Sequence, residues 1–158
     1  MSRISGSGVS VDVPSGWEAR LYARGTTANT FEPASAGSAP ADIAVLHVAS
    51  FTLPPNTGDY GGGATELMSN KDLLIVLMEH SRSSAGTPMF ATEGLPRLRP
   101  NDVSPTQLQR LIEGQGGVQR FFTVSGRAFC LYVVFGSYLR SPRTIPIVND
   151  VLASVTID

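Results

Sequence analysis

A chain of 158 residues with a formal net charge of −1 has room for one ordinary domain, and at that size roughly 70% of the unfolded chain's surface can be buried. Its 42% apolar and 16% charged content is too apolar for a disordered chain, and its near-neutrality weighs against general nucleic-acid binding by bulk electrostatics. No apolar run approaches the ~20 residues of a membrane span, the segment Met1 to Gly8 lacks the apolar stretch of a secretory signal, and the single cysteine, Cys130, excludes an intrachain disulfide. These features point to a bacterial-type cytosol, with a trimmed exported form as the alternative.

In chain order, Val9 to Val13 alternates apolar and polar residues, as a half-buried strand does. Pro14-Ser15-Gly16 has turn chemistry, and Trp17 to Ala23 alternates again, which predicts a hairpin around that turn. Gly25 to Ala41 is rich in Thr, Ala, Ser, Gly and Pro and reads as a long loop, with room for a short strand near Thr30 and Phe31. Asp42 to Leu53 predicts a strand ended by Pro54-Pro55. A turn-rich stretch with Gly61, Gly62 and Gly63 follows, and Ala64 to Ser69 is long enough for one or two helical turns.

The continuous apolar run Leu73 to Met78 predicts a central strand buried on both faces. Ser81 to Asn101 is irregular. Ser104-Pro105-Thr106-Gln107 carries a cap, a first-turn proline and a glutamine three residues after the cap, which together predict a short helix stopped by Gly114. Val118 to Val124 and Arg127 to Phe135 are the strongest strand pair, joined at Ser125-Gly126 with glycine free to take positive φ. A last helix opens at Ser141-Pro142 or at Thr144-Ile145-Pro146, with Ile147, Val148, Val151 and Leu152 as its apolar stripe. Val155 to Ile157 closes the chain as a short strand. The sum is a single α+β domain over residues 1–158: a mostly antiparallel sheet whose doubly apolar central strands call for helices on both faces.

Two segments carry a resemblance. The opening Val13-Pro14-Ser15-Gly16-Trp17 and the closing Val151-Leu152-Ala153-Ser154-Val155-Thr156-Ile157 resemble the PsbP-like superfamily, which includes the photosystem subunit P, the Ran-binding factor Mog and bacterial DcrB-type domains. The resemblance implies an α/β/α sandwich and a binding or adaptor role, in some members that of a dimeric chaperone. It carries over no catalytic residue, and Gly25 to Ala41 and the triple glycine match none of its motifs.

The residues with chemical potential do not assemble into a reaction centre by spacing. Glu79, His80 and Ser81 are adjacent, yet neighbours on a strand point to opposite faces, so His80 shares a surface with neither and reads as a strand-end histidine meeting solvent. His47 lies within the apolar Ala44 to Val48, either facing solvent or bonded in the core. Two histidines without ligand spacing and one cysteine predict no metal site, and no cofactor motif is present. Cys130, alternating with Ala128 and Tyr132, reads as a small buried side chain. Gly61 to Gly63 lacks the Gly-Lys-Ser/Thr ending of a phosphate loop and reads as a flexible turn, and Trp17 reads as core packing.

Charge is uneven along the chain. From Leu95 to Ile145, Arg97, Arg99, Arg110, Arg120, Arg127, Arg140 and Arg143 face only Asp102 and Glu113, while the first 94 residues are net acidic. Solvated loop and edge arginines are one reading. The other is a surface of Arg97, Arg99, Arg110, Arg120, Arg140 and Arg143 for an acidic protein partner, including a second copy of the chain. The functional expectation is a non-enzymatic binding or adaptor domain, chaperone-like towards another protein and able to dimerise. A small-ligand carrier using a pocket between sheet and loops, or an enzyme without a recognisable motif, is the alternative.

Overall fold

The computed structural model describes residues 1–24 and 43–158, so the expectation for Gly25 to Ala41 lies outside the described residues. Eight strands and one α-helix follow in the order β1 (Ser2–Gly6), β2 (Val9–Val13), β3 (Glu18–Arg24), β4 (Ile43–Ala49), β5 (Leu73–Glu79), β6 (Gly116–Val124), β7 (Arg127–Phe135), α1 (Ser141–Ala153) and β8 (Thr156–Ile157) among the described residues. They form two antiparallel sheets, one of three strands in the order β1-β2-β8 and one of five in the order β3-β4-β5-β7-β6. The fold is mixed α+β.

The two continuous apolar runs lie where continuity places them. β5 and β7 are interior strands of the large sheet, and every residue of both is buried. Ser125 and Gly126, with φ of 53° and 71°, make the tight turn between β6 and β7. One face of the large sheet, with Leu73, Ile75, Leu77, Phe129, Leu131 and Val133, packs beneath a second layer. That layer consists of α1, through Ile145, Val148, Val151 and Leu152, and the small sheet, through Val9, Val11, Val13 and Ile157. α1 starts at Ser141-Pro142, where a proline in the first turn loses no helical bond. Trp17 packs, partly buried, against this same core.

A buried ion pair ties the layers together. Arg127 at the start of β7 donates to Glu79 at the end of β5 through Nε (2.9 Å) and Nη2 (2.8 Å). The same guanidinium reaches Ser7 O in the β1–β2 turn (2.8 Å) and Asp158 O at the C-terminus (3.2 Å). Burial opposes ionisation of Glu79, yet the bonds from Arg127 and from the Ala44 N–H outweigh it and hold the carboxyl below its ordinary range.

Three sequence expectations are corrected. Pro14-Ser15-Gly16 does turn the chain, with Trp17 N–H donating to Pro14 O at 3.0 Å, but β2 and β3 do not pair; the turn leads from one sheet to the other. β2 is taken instead by β1, because Ser7 and Gly8 both adopt positive φ (52° and 77°) in a two-residue hairpin turn. No helix forms at Ser104-Pro105-Thr106-Gln107. The backbone of Ser104 exchanges hydrogen bonds with Gly117 at 2.8 and 2.9 Å, and Gln107 Oε1 accepts from Gln119 N–H, so the segment bonds along β6, while Ser104 Oγ accepts from the N–H of Thr106 instead of capping a helix. Nor do α-helices cover both faces among the described residues: the face opposite α1 is covered by Phe51, Leu53, Tyr60, Ala64, Met68 and Leu108, from loops and a 3-10 turn at Thr65–Leu67.

Candidate functional site

Strand alternation gives the loop-covered face a polar stripe. The pairs Arg20↔His47, His47↔Val76, Val76↔Tyr132 and Tyr132↔Gln119 place these five residues in one row across all five strands. The next row joins Tyr22, Val45, Met78, Cys130 and Phe121. Residues directly opposite on one face lie close enough for their side chains to interact.

A glycine-rich turn closes over the first row. Gly58 N–H donates to Gly62 O (2.9 Å), Gly61 N–H to Gly58 O (2.9 Å), and Ala64 N–H to Gly61 O (2.9 Å). Gly61 has φ +79°, and a Cβ there would strike Leu74 Cδ2, so glycine is required for both backbone and space. The turn is thus closed by hydrogen bonds of its own backbone.

Beneath it, fully buried His47 meets Gly58 O through Nε2 at 3.2 Å. A carbonyl only accepts, so Nε2 carries the proton. Nδ1 is then a buried acceptor with no partner among the described residues. Tyr22 stacks on the imidazole at 6.1 Å and donates through its hydroxyl to Asp59 at 3.1 Å. Burial lowers the His47 pKa to about 4, the bond to Gly58 opposes the shift, and the Arg20 charge adds to it.

The turn and the segment after Leu108 leave a cleft of about 320 Å³ between them, with Gly58, Asp59, Tyr60, Thr65, Arg110 and Tyr132 among its walls. Tyr132 rises from the sheet as its floor. Its hydroxyl accepts from Gln109 N–H (2.7 Å), which leaves its own O–H to donate. Tyr60 meets the Tyr132 ring edge-on at 5.6 Å, and Arg110 pairs with Glu66 at 3.0 Å. Behind Thr65, Gln115 Nε2 donates to Thr65 O (2.8 Å), while Gln115 Oε1 is buried without a partner among the described residues. The walls therefore combine an aromatic pair, donors on Tyr132 and Arg110, and the Asp59 carboxylate. That set suits a small polar ligand with a planar part.

The other residues singled out by sequence lie elsewhere or in supporting places. Cys130 is buried on the sheet with the Gln119 amide 3.6 Å from Sγ, and burial pushes its thiol pKa up, the reverse of an activated nucleophile. His80, half-buried just past the end of β5, meets solvent only in part: its ring packs against Phe90 (5.2 Å) and Phe121 (6.3 Å), Nε2 is buried without a partner among the described residues, and burial lowers its pKa. Glu79 points to the opposite face, onto Arg127. Among the described residues no group of three His, Cys, Asp or Glu side chains is placed to hold a metal ion.

The arginines differ in their surroundings. Arg127 is buried at 3% side-chain exposure, Arg120 pairs with Asp102 (3.0 Å), and Arg110 borders the cleft. Arg97 and Arg99 are exposed near the C-terminal half of α1, and Arg140 and Arg143 are exposed at its start. Asp59, Tyr60, Gln109, Gln115 and Tyr132 went unnoticed in the sequence. One signal was present: a tyrosine inside the doubly buried run of β7 must find a partner for its hydroxyl.

No described helix is long and apolar enough to cross a membrane. Comparison of the chain with protein-family models, with curated proteins and with solved structures returns no match.

Proposed function

We propose that this chain is a binding domain whose ligand is a small, polar, partly planar molecule held in the cleft between the large sheet and the Gly58 to Thr65 turn. One observation carries the reading: a hydrogen-bonded glycine turn closes over His47, and behind the cleft walls Gly58 and Thr65 two buried acceptors, His47 Nδ1 and Gln115 Oε1, have no partner among the described residues. A buried acceptor without a partner costs free energy and is tolerated where structure serves something other than stability. The PsbP-like resemblance agrees with a binding role. On that reading the fold is a variant of the α/β/α sandwich with loops replacing helices on the cleft side.

The test is a thermal-shift and native mass-spectrometry screen of a polar metabolite collection. A ligand at a hundred times its Kd should add about 2.7 kcal/mol of stability. Gly62→Leu, at an exposed cleft glycine outside the positive-φ region, should abolish that shift without lowering the melting temperature of the free protein. A ligand whose shift survives Gly62→Leu, or a collection that yields no bound species, would overturn the assignment. A second reading, an adaptor for another protein, is favoured by the exposed Tyr138, Leu139, Arg140 and Arg143.

A further inference from the structure

One side of α1 is uncovered. Arg143, Pro146, Ile147, Asp150 and Ala153 are exposed along it, at the three- and four-residue spacing that keeps side chains in one stripe. Arg143 and Asp150 are two turns apart, about 10 Å along the axis, and neither has an ion-pair partner among the described residues. Beside the stripe runs a groove of about 350 Å³, with Met1, Pro14, Ile147 and Val151 as apolar walls and Asp12 and Asp150 as acidic groups. Just before the helix stands Leu139, 88% exposed, the most exposed large apolar side chain described.

We propose that this face docks a second copy of the chain, the two α1 helices lying antiparallel about a two-fold axis. In such a contact each partner presents the same patch, so any pairing occurs twice. Setting Arg143 opposite the partner's Asp150 brings Pro146 opposite the partner's Ile147 at the axis. The same register sets Leu139 opposite the partner's Ser154, which lines the apolar groove. A single alignment thus joins two opposite-charge pairs, covers Ile147 and gives the exposed leucine a place to bury. Shifting the register by seven residues either way sets Arg143 against its own copy or Asp150 against its own, and like charges across an interface are strongly unfavourable. α1 packs on the face of the large sheet opposite the cleft, so the dimer and the proposed ligand site do not compete.

Sedimentation velocity of the full chain across the micromolar range tests this directly. The wild type should form dimers. Arg143→Asp and Asp150→Arg should each weaken them by at least about tenfold, because either change creates two like-charge contacts. The double variant Arg143→Asp, Asp150→Arg should restore the dimer to within a few-fold of wild type. At about 10 Å separation on one helix, the exchanged charges cannot compensate each other within a monomer. Leu139→Ser, at a side chain free of core contacts, should weaken the dimer while leaving the melting curve in place. A monomeric wild type, single variants that dimerise normally, or a double variant as weak as the singles would overturn the proposal.

Discussion

His47 offers a measurement in which the direction, size and pH window all follow from geometry. Its ring is sealed beneath Gly58, its hydrogen bond to Gly58 O uses Nε2, and Nδ1 has no partner among the described residues to receive a second proton's charge. Protonation would bury a cation beside Arg20, so the folded pKa falls from 6.5 to about 4. The unfolded chain therefore binds the proton more readily, and stability falls on acidification. The contribution is fully present above pH 6.5, is lost progressively towards pH 4, and is absent below it. That interval, at roughly 1.36 kcal/mol per pH unit, amounts to about 3 kcal/mol, a large part of the about 5–15 kcal/mol of an ordinary domain. The assay is urea unfolding at a series of pH values for wild type and His47→Gln, whose amide can still donate to Gly58 O. His80, also lowered by burial, titrates in the same direction but is common to both proteins, so their difference isolates His47. Wild type should lose about 3 kcal/mol relative to the variant between neutral pH and pH 4. Parallel pH profiles would refute the buried neutral imidazole.

Three further outcomes follow from burial. Val133→Asp places a carboxylate at a fully buried position of β7, at a cost of several kcal/mol, and should abolish soluble expression; a soluble variant with an unchanged melting curve would show that β7 is not central. Cys130→Ala should cost about 1 kcal/mol by urea unfolding, and native Cys130 should react with a thiol reagent only as fast as the chain opens. Arg127→Met should destabilise by about 3–5 kcal/mol by leaving Glu79 charged and buried, and Glu79→Gln in the same chain should recover part of that loss; independent, additive losses would exclude the pair as a unit.

The fold was legible where neighbouring residues carry the whole signal. Leu73 to Met78 and Phe129 to Phe135 state double burial by continuity, Ser125-Gly126 states its turn, and of the two helix starts the sequence allows, Ser141-Pro142 is the one used. Legibility failed where a distant partner decides. Ser104 to Gln107 has the composition of a helix start, but Gly117 and Gln119 on β6 take its polar groups first. β1 was missed because Arg3, Ser5 and Gly6 leave only Ile4 as an apolar signal. The site was harder still. Apolar neighbours on both sides of His47 leave its facing open, and Tyr132 joins Gln109 only through a tertiary approach that no local pattern encodes.

The two faces of the large sheet show why the loop-covered one carries a polar cleft. A helix satisfies its own backbone and can present an apolar stripe to the strands, as α1 does through Ile145, Val148, Val151 and Leu152 in the core it shares with Leu131 and Val133. A loop brings unpaired N–H and C=O groups over the sheet, and these need partners on the covered surface or among themselves. Here Gly58 takes His47, Thr65 takes Gln115, Gln109 takes Tyr132, and the glycines bond to one another. Each such bond fixes a loop at one point and leaves unfilled space between points. The polar row and the cleft are thus consequences of one choice, covering half the sheet with turns. Replacing Tyr132 by Phe tests that link: it removes the acceptor for Gln109 N–H with little change in volume. It should cost about 1–3 kcal/mol and speed amide exchange at Gln109. An unchanged exchange rate there would mean that the segment is held by its apolar contact at Leu108 rather than by the tyrosine.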